Sequence, residues 1–259
     1  MRFNVVYNKN IPNSSDYLFE IEETLIQKKV EFKTFELDSM EDFGEFTIVL
    51  GGDGTILKSA RYYSVSKIPV LGLNLGRLGF LSQQESIKNV VDSILEGNYY
   101  TEERMMLVSA DKFALNDFVI KGCDSSRTSK FYLEINGKDV CDYIADGLII
   151  STPTGSTAYG LSAGGPVIYP TMEAVSIVPI CPHTLNARPL VVPASEFITV
   201  KTGDRLLSVS VDGFESMNCV EKISIKTAPQ KACLAFLDKG RFYNVLRNKL
   251  HWGISPKAY

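Results

Sequence analysis

A short apolar run, Phe46-Thr47-Ile48-Val49-Leu50, leads directly into Gly51-Gly52-Asp53-Gly54-Thr55, and this junction restricts the chain more than any other stretch. The run reads as a buried strand of the kind found in sheets covered on both faces. The glycines after it allow a sharp turn and a close approach of backbone to ligand. Their amides can face an anion, and Thr55 can open the helix that follows, whose N-terminal end favours negative charge. A lone carboxylate in such a loop would repel a phosphate if it did nothing but touch it. Asp53 therefore reads as acting on a hydroxyl that must lose a proton, or on a metal ion, which makes the loop a place for phosphoryl transfer. Gly and Asp also favour plain turns, so the motif alone does not decide.

From Met1 to about Gly97, short apolar runs alternate with helical ones, the pattern of an α/β layer with a mainly parallel sheet. Strands are expected over 3–7, 32–35, 46–50 and 70–74. A helix follows the cap candidates Asn13 and Ser14, where Tyr17, Leu18, Ile21, Leu25 and Ile26 share helical spacing. After about Tyr100, closely spaced β runs take over at 106–110, 118–121, 131–135, 147–151, 198–201 and 205–211, with a hairpin turn at Asn136-Gly137. The expected organisation is an α/β domain over 1–99 carrying the glycine loop, a β-rich domain over 100–235, and a tail over 236–259. The tail's helix, near 241–249, carries Phe242, Val245, Leu246 and Leu250 on one face and is expected to pack back on the first domain.

The 259 residues suffice for one large domain or two ordinary ones. With 27 Lys plus Arg against 30 Asp plus Glu and no long run of either sign, the chain is a poor candidate for nucleic acid or a membrane surface. The five cysteines, Cys123, Cys141, Cys181, Cys219 and Cys233, include no C-x-x-C pair, so neither a disulfide framework nor a zinc site is suggested. Met1 runs into a strand-like segment rather than a targeting leader, and no apolar stretch approaches the ~20 residues that span a bilayer. A cytoplasmic location is expected.

A second cluster begins at Asp146 and continues through Thr152-Pro153-Thr154-Gly155-Ser156-Thr157-Ala158-Tyr159. Its hydroxyls and free amides can hold a sugar or phosphate, and Tyr159 offers a ring for a base. Asp146 supplies an acceptor for an amine or a ribose hydroxyl. The structural alternative is a Ser/Thr-rich turn with a capped helix. Gly160-Leu161-Ser162-Ala163-Gly164 formally matches the G-x-S-x-G of serine hydrolases, but that motif needs a strand and a sharp turn before the serine, and only His183 and His251 are available as base. No G-x-G-x-x-G follows a strand and no P-loop motif occurs, so dinucleotide or nucleotide binding must use another geometry.

Taken together, Gly51-Gly52-Asp53-Gly54-Thr55, Asn74-Leu75-Gly76-Arg77-Leu78-Gly79-Phe80-Leu81, Asn116-Asp117 and the run from Thr152 to Tyr159 resemble NAD kinases in order and spacing. The tail from Phe242 to Trp252 resembles that family's ending, so the resemblance spans nearly the whole chain. The glycine loop is shared with lipid kinases and loosely with phosphofructokinases, whereas the 152–159 run is close to diagnostic. The resemblance implies transfer of the terminal phosphate of ATP, with a divalent cation such as magnesium, to the 2′-hydroxyl of the adenosine ribose of NAD, yielding NADP. It makes Asp53 the general base and sets Gly52 and Gly54 beside the phosphates. Asn116 and Asp117 match the pair that holds the ribose hydroxyls. Phe80, Thr157, Ala158, Tyr159, Gly160, Leu161 and Ser162 match the dinucleotide site, and Asp146 its acidic residue. Lys58 and Arg127 match basic positions that meet phosphates. The resemblance also implies a homodimer or homotetramer. Two departures stand out: Asp117 is one methylene shorter than the commoner Glu, and Phe214 stands where many relatives have Gln. Donor choice among ATP, other nucleotides and polyphosphate stays open, as does NAD against NADH. A lipid kinase and a non-catalytic dinucleotide sensor remain as alternatives.

Overall fold

The strand ahead of the glycine loop is buried at all five positions, as a central parallel strand should be. The computed structural model describes residues 1–76, 79–124, 128–184, 186–203 and 206–252. Arg127, expected at the phosphates, lies outside the described residues, as do Arg77, Leu78 and Arg205. The chain forms two units, one built from Met1–Glu103 and the stretch from Ala232 onwards, the other from Arg104–Lys231.

The first unit runs β1 (Arg2–Tyr7), α1 (Ser14–Gln27), β2 (Glu31–Glu36), β3 (Phe46–Leu50), α2 (Asp53–Tyr63), β4 (Val70–Leu73), β5 (Ser82–Gln83), α3 (Ile87–Leu95) and β6 (Tyr100–Arg104). The second follows with β7 (Leu107–Ser109), β8 (Lys112–Ala114), β9 (Asp117–Gly122), β10 (Ser129–Ile135), β11 (Lys138–Ala145), β12 (Gly147–Ser151), α4 (Tyr159–Ser162), β13 (Ala174–Ile180), β14 (Leu190–Pro193), β15 (Ile198–Thr202), β16 (Leu207–Val211), β17 (Glu215–Val220) and β18 (Lys222–Thr227). β19 (Ala232–Phe236) and α5 (Arg241–Leu250) then return to the first unit.

In the first unit a sheet of order β2-β1-β3-β4-β19-β6, with β5 beside β4, is parallel at each of the pairings β2/β1, β1/β3, β3/β4, β4/β5 and β4/β19. Alternate residues Phe46, Ile48, Leu50, Leu71 and Leu73 meet Ile21 and Leu25 of α1 and Val90, Val91 and Ile94 of α3 in one core. α2 packs against β3, β4 and β19, with Ile56 filling the space above Gly72. Tyr17 and Ile26, placed by spacing on the apolar face of α1, are exposed, and Ile21 and Leu25 carry its burial. The stretch 232–235, assigned above to the β-rich domain, belongs instead to this sheet, where Leu234 pairs with Val70. Its apolar run suits the core of either unit equally, so composition carries no sign of the partner.

The second unit is a sandwich of two six-stranded sheets, β11-β10-β15-β18-β7-β8 and β14-β13-β12-β9-β16-β17. Phe118, Ile120, Leu148, Ile150, Val209 and Val211 from one sheet and Phe131, Leu133, Ile198, Val200, Ile223 and Ile225 from the other close a single core. The Asn136-Gly137 hairpin joins β10 to β11 with φ of 51° and 74°, the positive values that a type I′ turn requires. Among the described residues no helix is long and apolar enough to cross a membrane.

Candidate active site

α2 begins at Asp53 rather than at Thr55, because Gly52 takes the cap position with extended backbone and its carbonyl accepts from the amides of Thr55 and Ile56 at 3.0 and 3.1 Å. Asp53 is thus the first helical residue, where a carboxylate is favoured by the helix dipole. Its Oδ2 accepts from the Phe80 amide at 2.7 Å, and its Oδ1 from the Leu81 amide at 3.2 Å and the Ser82 hydroxyl at 3.3 Å. Gly79 is required beside it, since a Cβ there would lie 1.8 Å from Asp53 Oδ1. The ammonium of Lys249, on α5, stands 4.0 Å from Asp53 Oδ2 and 5.1 Å from the centre of the Phe80 ring. Positions where Gly52 and Gly54 would carry a side chain face open space, so room for a ligand exists on the loop. Lys58, one further turn along α2, gives its ammonium to Asp38, and that ion pair holds the Asp38 carboxyl below its ordinary range.

In the second unit, strand register assembles a polar cleft with about 320 Å³ of free volume. β9 and β16 run antiparallel with Lys121 opposite Ser208 and Val119 opposite Ser210, and these residues, with Asp117 and Asp212, share the face turned away from the sandwich core. Asp117 is 5% exposed, and burial first, then the Asp212 carboxylate, push its carboxyl up to about 7. Asp212 Oδ1 accepts from the amides of Asn116 and Asp117 at 2.8 and 3.0 Å, and its Oδ2 from Leu115 at 2.9 Å. Asp212 is therefore the brace of the Asn116-Asp117 pair.

The Thr152–Tyr159 run grips the same pair from the other side. Thr152 Oγ1 donates to the Leu115 carbonyl at 2.6 Å and accepts from the Gly155 amide at 3.1 Å, while its own amide donates to the Asn116 carbonyl at 2.9 Å. Gly155 permits this approach, since a Cβ there would sit 2.2 Å from the Asn116 carbonyl oxygen. Ser156 and Thr157 also direct their hydroxyls to loop carbonyls, those of Pro153 and Thr154. The hydroxyls expected to hold a sugar thus shape the cleft, and Ala158 and Tyr159 line it. Gly160, Leu161 and Ser162 continue into α4, which follows a 3₁₀ turn at Gly155–Thr157 rather than a strand, so Ser162 lacks the setting of a hydrolase nucleophile. Asp146 is exposed at the opposite end of β12 from Ser151, which pairs with Asp117; the separation along the strand is roughly 16 Å. Phe214 is exposed beyond the turn.

Residues 2–99 match the ATP-NAD kinase N-terminal domain and residues 115–236 the ATP-NAD kinase C-terminal domain. The chain belongs to the NAD kinase family. The NAD kinase of Gemmatimonas aurantiaca is 41% identical over 222 residues, covering 80% of this chain and 77% of the relative, and that of Geobacter sulfurreducens is 40% identical over 224 residues, covering 81% and 79%. Among solved structures, an NAD kinase from Archaeoglobus fulgidus in complex with ATP is similar at a TM-score of 0.79 and 27% identity, covering 95% of this chain and 97% of that one. A yeast NADH kinase complexed with NADH shares the fold at a TM-score of 0.87 and 23% identity, covering 100% and 90%. The enzyme is accordingly an NAD kinase with the two-domain fold of its family. Asp53 and Phe80 come together in one unit, and Asn116, Asp117, Ala158 and Tyr159 in the other. Sequence reasoning missed Ser82, Lys249, Asp212, Lys121, Ser208 and Ser210 as site residues. The alternation of Ser208, Ser210 and Asp212 along one face of a strand was the available signal for the last group.

Proposed function

We propose that the enzyme transfers the terminal phosphoryl group of ATP to the 2′-hydroxyl of the adenosine ribose of NAD, with Asp53 as general base. The observation that carries this reading is the placing of Asp53: a carboxylate fixed by two amides and a hydroxyl at the head of α2, between glycines that leave open space. As the ribose oxygen bonds to phosphorus and the bond to the ADP oxygen breaks, the hydroxyl proton passes to a carboxylate oxygen of Asp53. The Lys249 ammonium and the N-terminal end of α2 offset negative charge on the moving phosphoryl group. Asn116 and Asp117, held by Asp212 and Thr152, take the ribose hydroxyls, and Tyr159 offers its ring to a base.

Among the described residues, no group of three or more His, Cys, Asp or Glu side chains could hold a metal ion. A divalent cation such as magnesium, arriving with the nucleotide, would neutralise charge on the transferred phosphate. Lys58 serves the site less directly than its position suggests, since it is paired with Asp38. The deciding assay is NADP formation from NAD, ATP and magnesium, with polyphosphate as a second donor, beside Asp53→Asn. The wild type is expected to form NADP, and the variant to lose on the order of 10³-fold or more in kcat. An Asp53→Asn enzyme within about tenfold of wild type would remove the base assignment.

A further inference from the structure

Arg241, the first residue of α5, is a charged side chain only 8% exposed. Its Nη1 donates to the Phe80 carbonyl at 2.7 Å, and its Nη2 donates to the Gly79 carbonyl at 2.8 Å and to the Ser82 carbonyl. The guanidinium also lies 4.9 Å from the centre of the Phe236 ring. The segment it grips is the one whose amides cap Asp53. The Gly79 carbonyl and the Phe80 amide belong to one planar peptide unit, and the Phe80 carbonyl and the Leu81 amide to the next. Arg241 holds the oxygen of each unit while Asp53 accepts from the N–H of each. A rigid plane fixed at its oxygen has its N–H direction fixed as well, so tilting either peptide away from Arg241 turns its N–H away from Asp53.

We propose that Arg241 is a positioning residue for phosphoryl transfer, setting the orientation of the Asp53 carboxylate through the 79–80 and 80–81 peptide units. The inference rests on the reading of Asp53 as the base. It also says why an arginine stands here: the planar guanidinium sets donors on two separate nitrogens in fixed directions toward the three carbonyls, whereas the three donors of a lysine ammonium radiate from one rotatable nitrogen.

The test is Arg241→Lys, which keeps the charge and loses the fork. Melting curves first establish that the variant folds, and steady-state assays with NAD, ATP and magnesium then separate kcat from KM. Expected are a fall in kcat on the order of 10- to 100-fold, as displacement of a catalytic group by about an ångström produces, and a KM for NAD within about twofold of wild type. Hydrogen exchange at the Phe80 and Leu81 amides speeds up. In an Asp53→Asn background the same lysine adds little further loss, because both changes act on one unit. An unchanged kcat, an effect confined to KM, an equal loss in both backgrounds, or a lysine variant that does not fold would each overturn the inference. A wild type that forms no NADP would instead remove the underlying reading, and the exchange of the two amides would still report on the clamp.

Discussion

Asp117 binds its proton more tightly in the folded chain, where its carboxyl titrates near 7, than at the ordinary value of 3.8. Between those values the folded state carries a proton that the unfolded state lacks, so stability falls as pH rises. The contribution is complete below the unfolded value and is lost as the pH climbs through about 7. Asp117→Asn removes this dependence. Relative to wild type, the variant should therefore gain melting temperature between about pH 4 and about pH 8. A constant difference across that range would show that Asp117 titrates no differently on folding. The facing groups are Asp212 just after β16, Lys121 farther along β9 and Tyr159 on α4, while Ser151 pairs with it from β12. Asp53 and Tyr159 stand out as candidates from their own glycine- and hydroxyl-rich runs, whereas Asn116 and Asp117 enter through the family resemblance. Asp212 and Lys249 were not legible in the sequence. Their neighbours lie far away in sequence, and only strand register or helix docking brings the groups together.

The short segment between β4 and β5 shows how one element controls another's chemistry. Gly79→Ala would place a methyl carbon 1.8 Å from Asp53 Oδ1, so the carboxylate must move and release the amides of Phe80 and Leu81. Gly76→Ala meets only Asn74 Oδ1 at 3.7 Å, an ordinary contact, and serves as the control. The expected outcome is a kcat loss on the order of 100-fold for Gly79→Ala with activity near wild type for Gly76→Ala. Equal kinetics in the two variants would mean that Asp53 does not depend on this segment. Several elements were readable from pattern, since β1, β3, β10, β12 and α1 fall within a residue or two of their expected spans. In contrast, α3, β13, β17 and β18 were not foreseen, and β13, buried at every position, shows no alternation. Nor were β5 and β8, because two or three residues carry too little pattern. The start of α2 moved from Thr55 to Asp53 because an extended glycine can cap a helix without a side chain.

At the scale of the molecule, the second unit is an insertion in chain order between β6 and β19 of the first unit. The chain leaves from β6 and returns into β19, and these two strands stand side by side in the sheet order. Residues 232–235, set with the β-rich domain on composition, form the return strand of this sheet. The arrangement also separates what the first unit needs from what the whole enzyme needs. β19 fills the place next to β4, its Ala235 joins the unit's core, and α5 delivers Arg241 and Lys249 to the Asp53 loop. Residues 1–103 alone lack all of these, whereas residues 1–103 joined by a short glycine-serine linker to 232–259 recover them. Adjacent strand ends are the geometry in which an inserted domain can be removed without opening the host. The joined chain should therefore unfold in a single cooperative transition in urea, and 1–103 should show none. It should form no NADP, since Asn116, Asp117 and Tyr159 are gone. A joined chain without a cooperative transition would mean that the first unit depends on the sandwich for its fold as well as for its substrate.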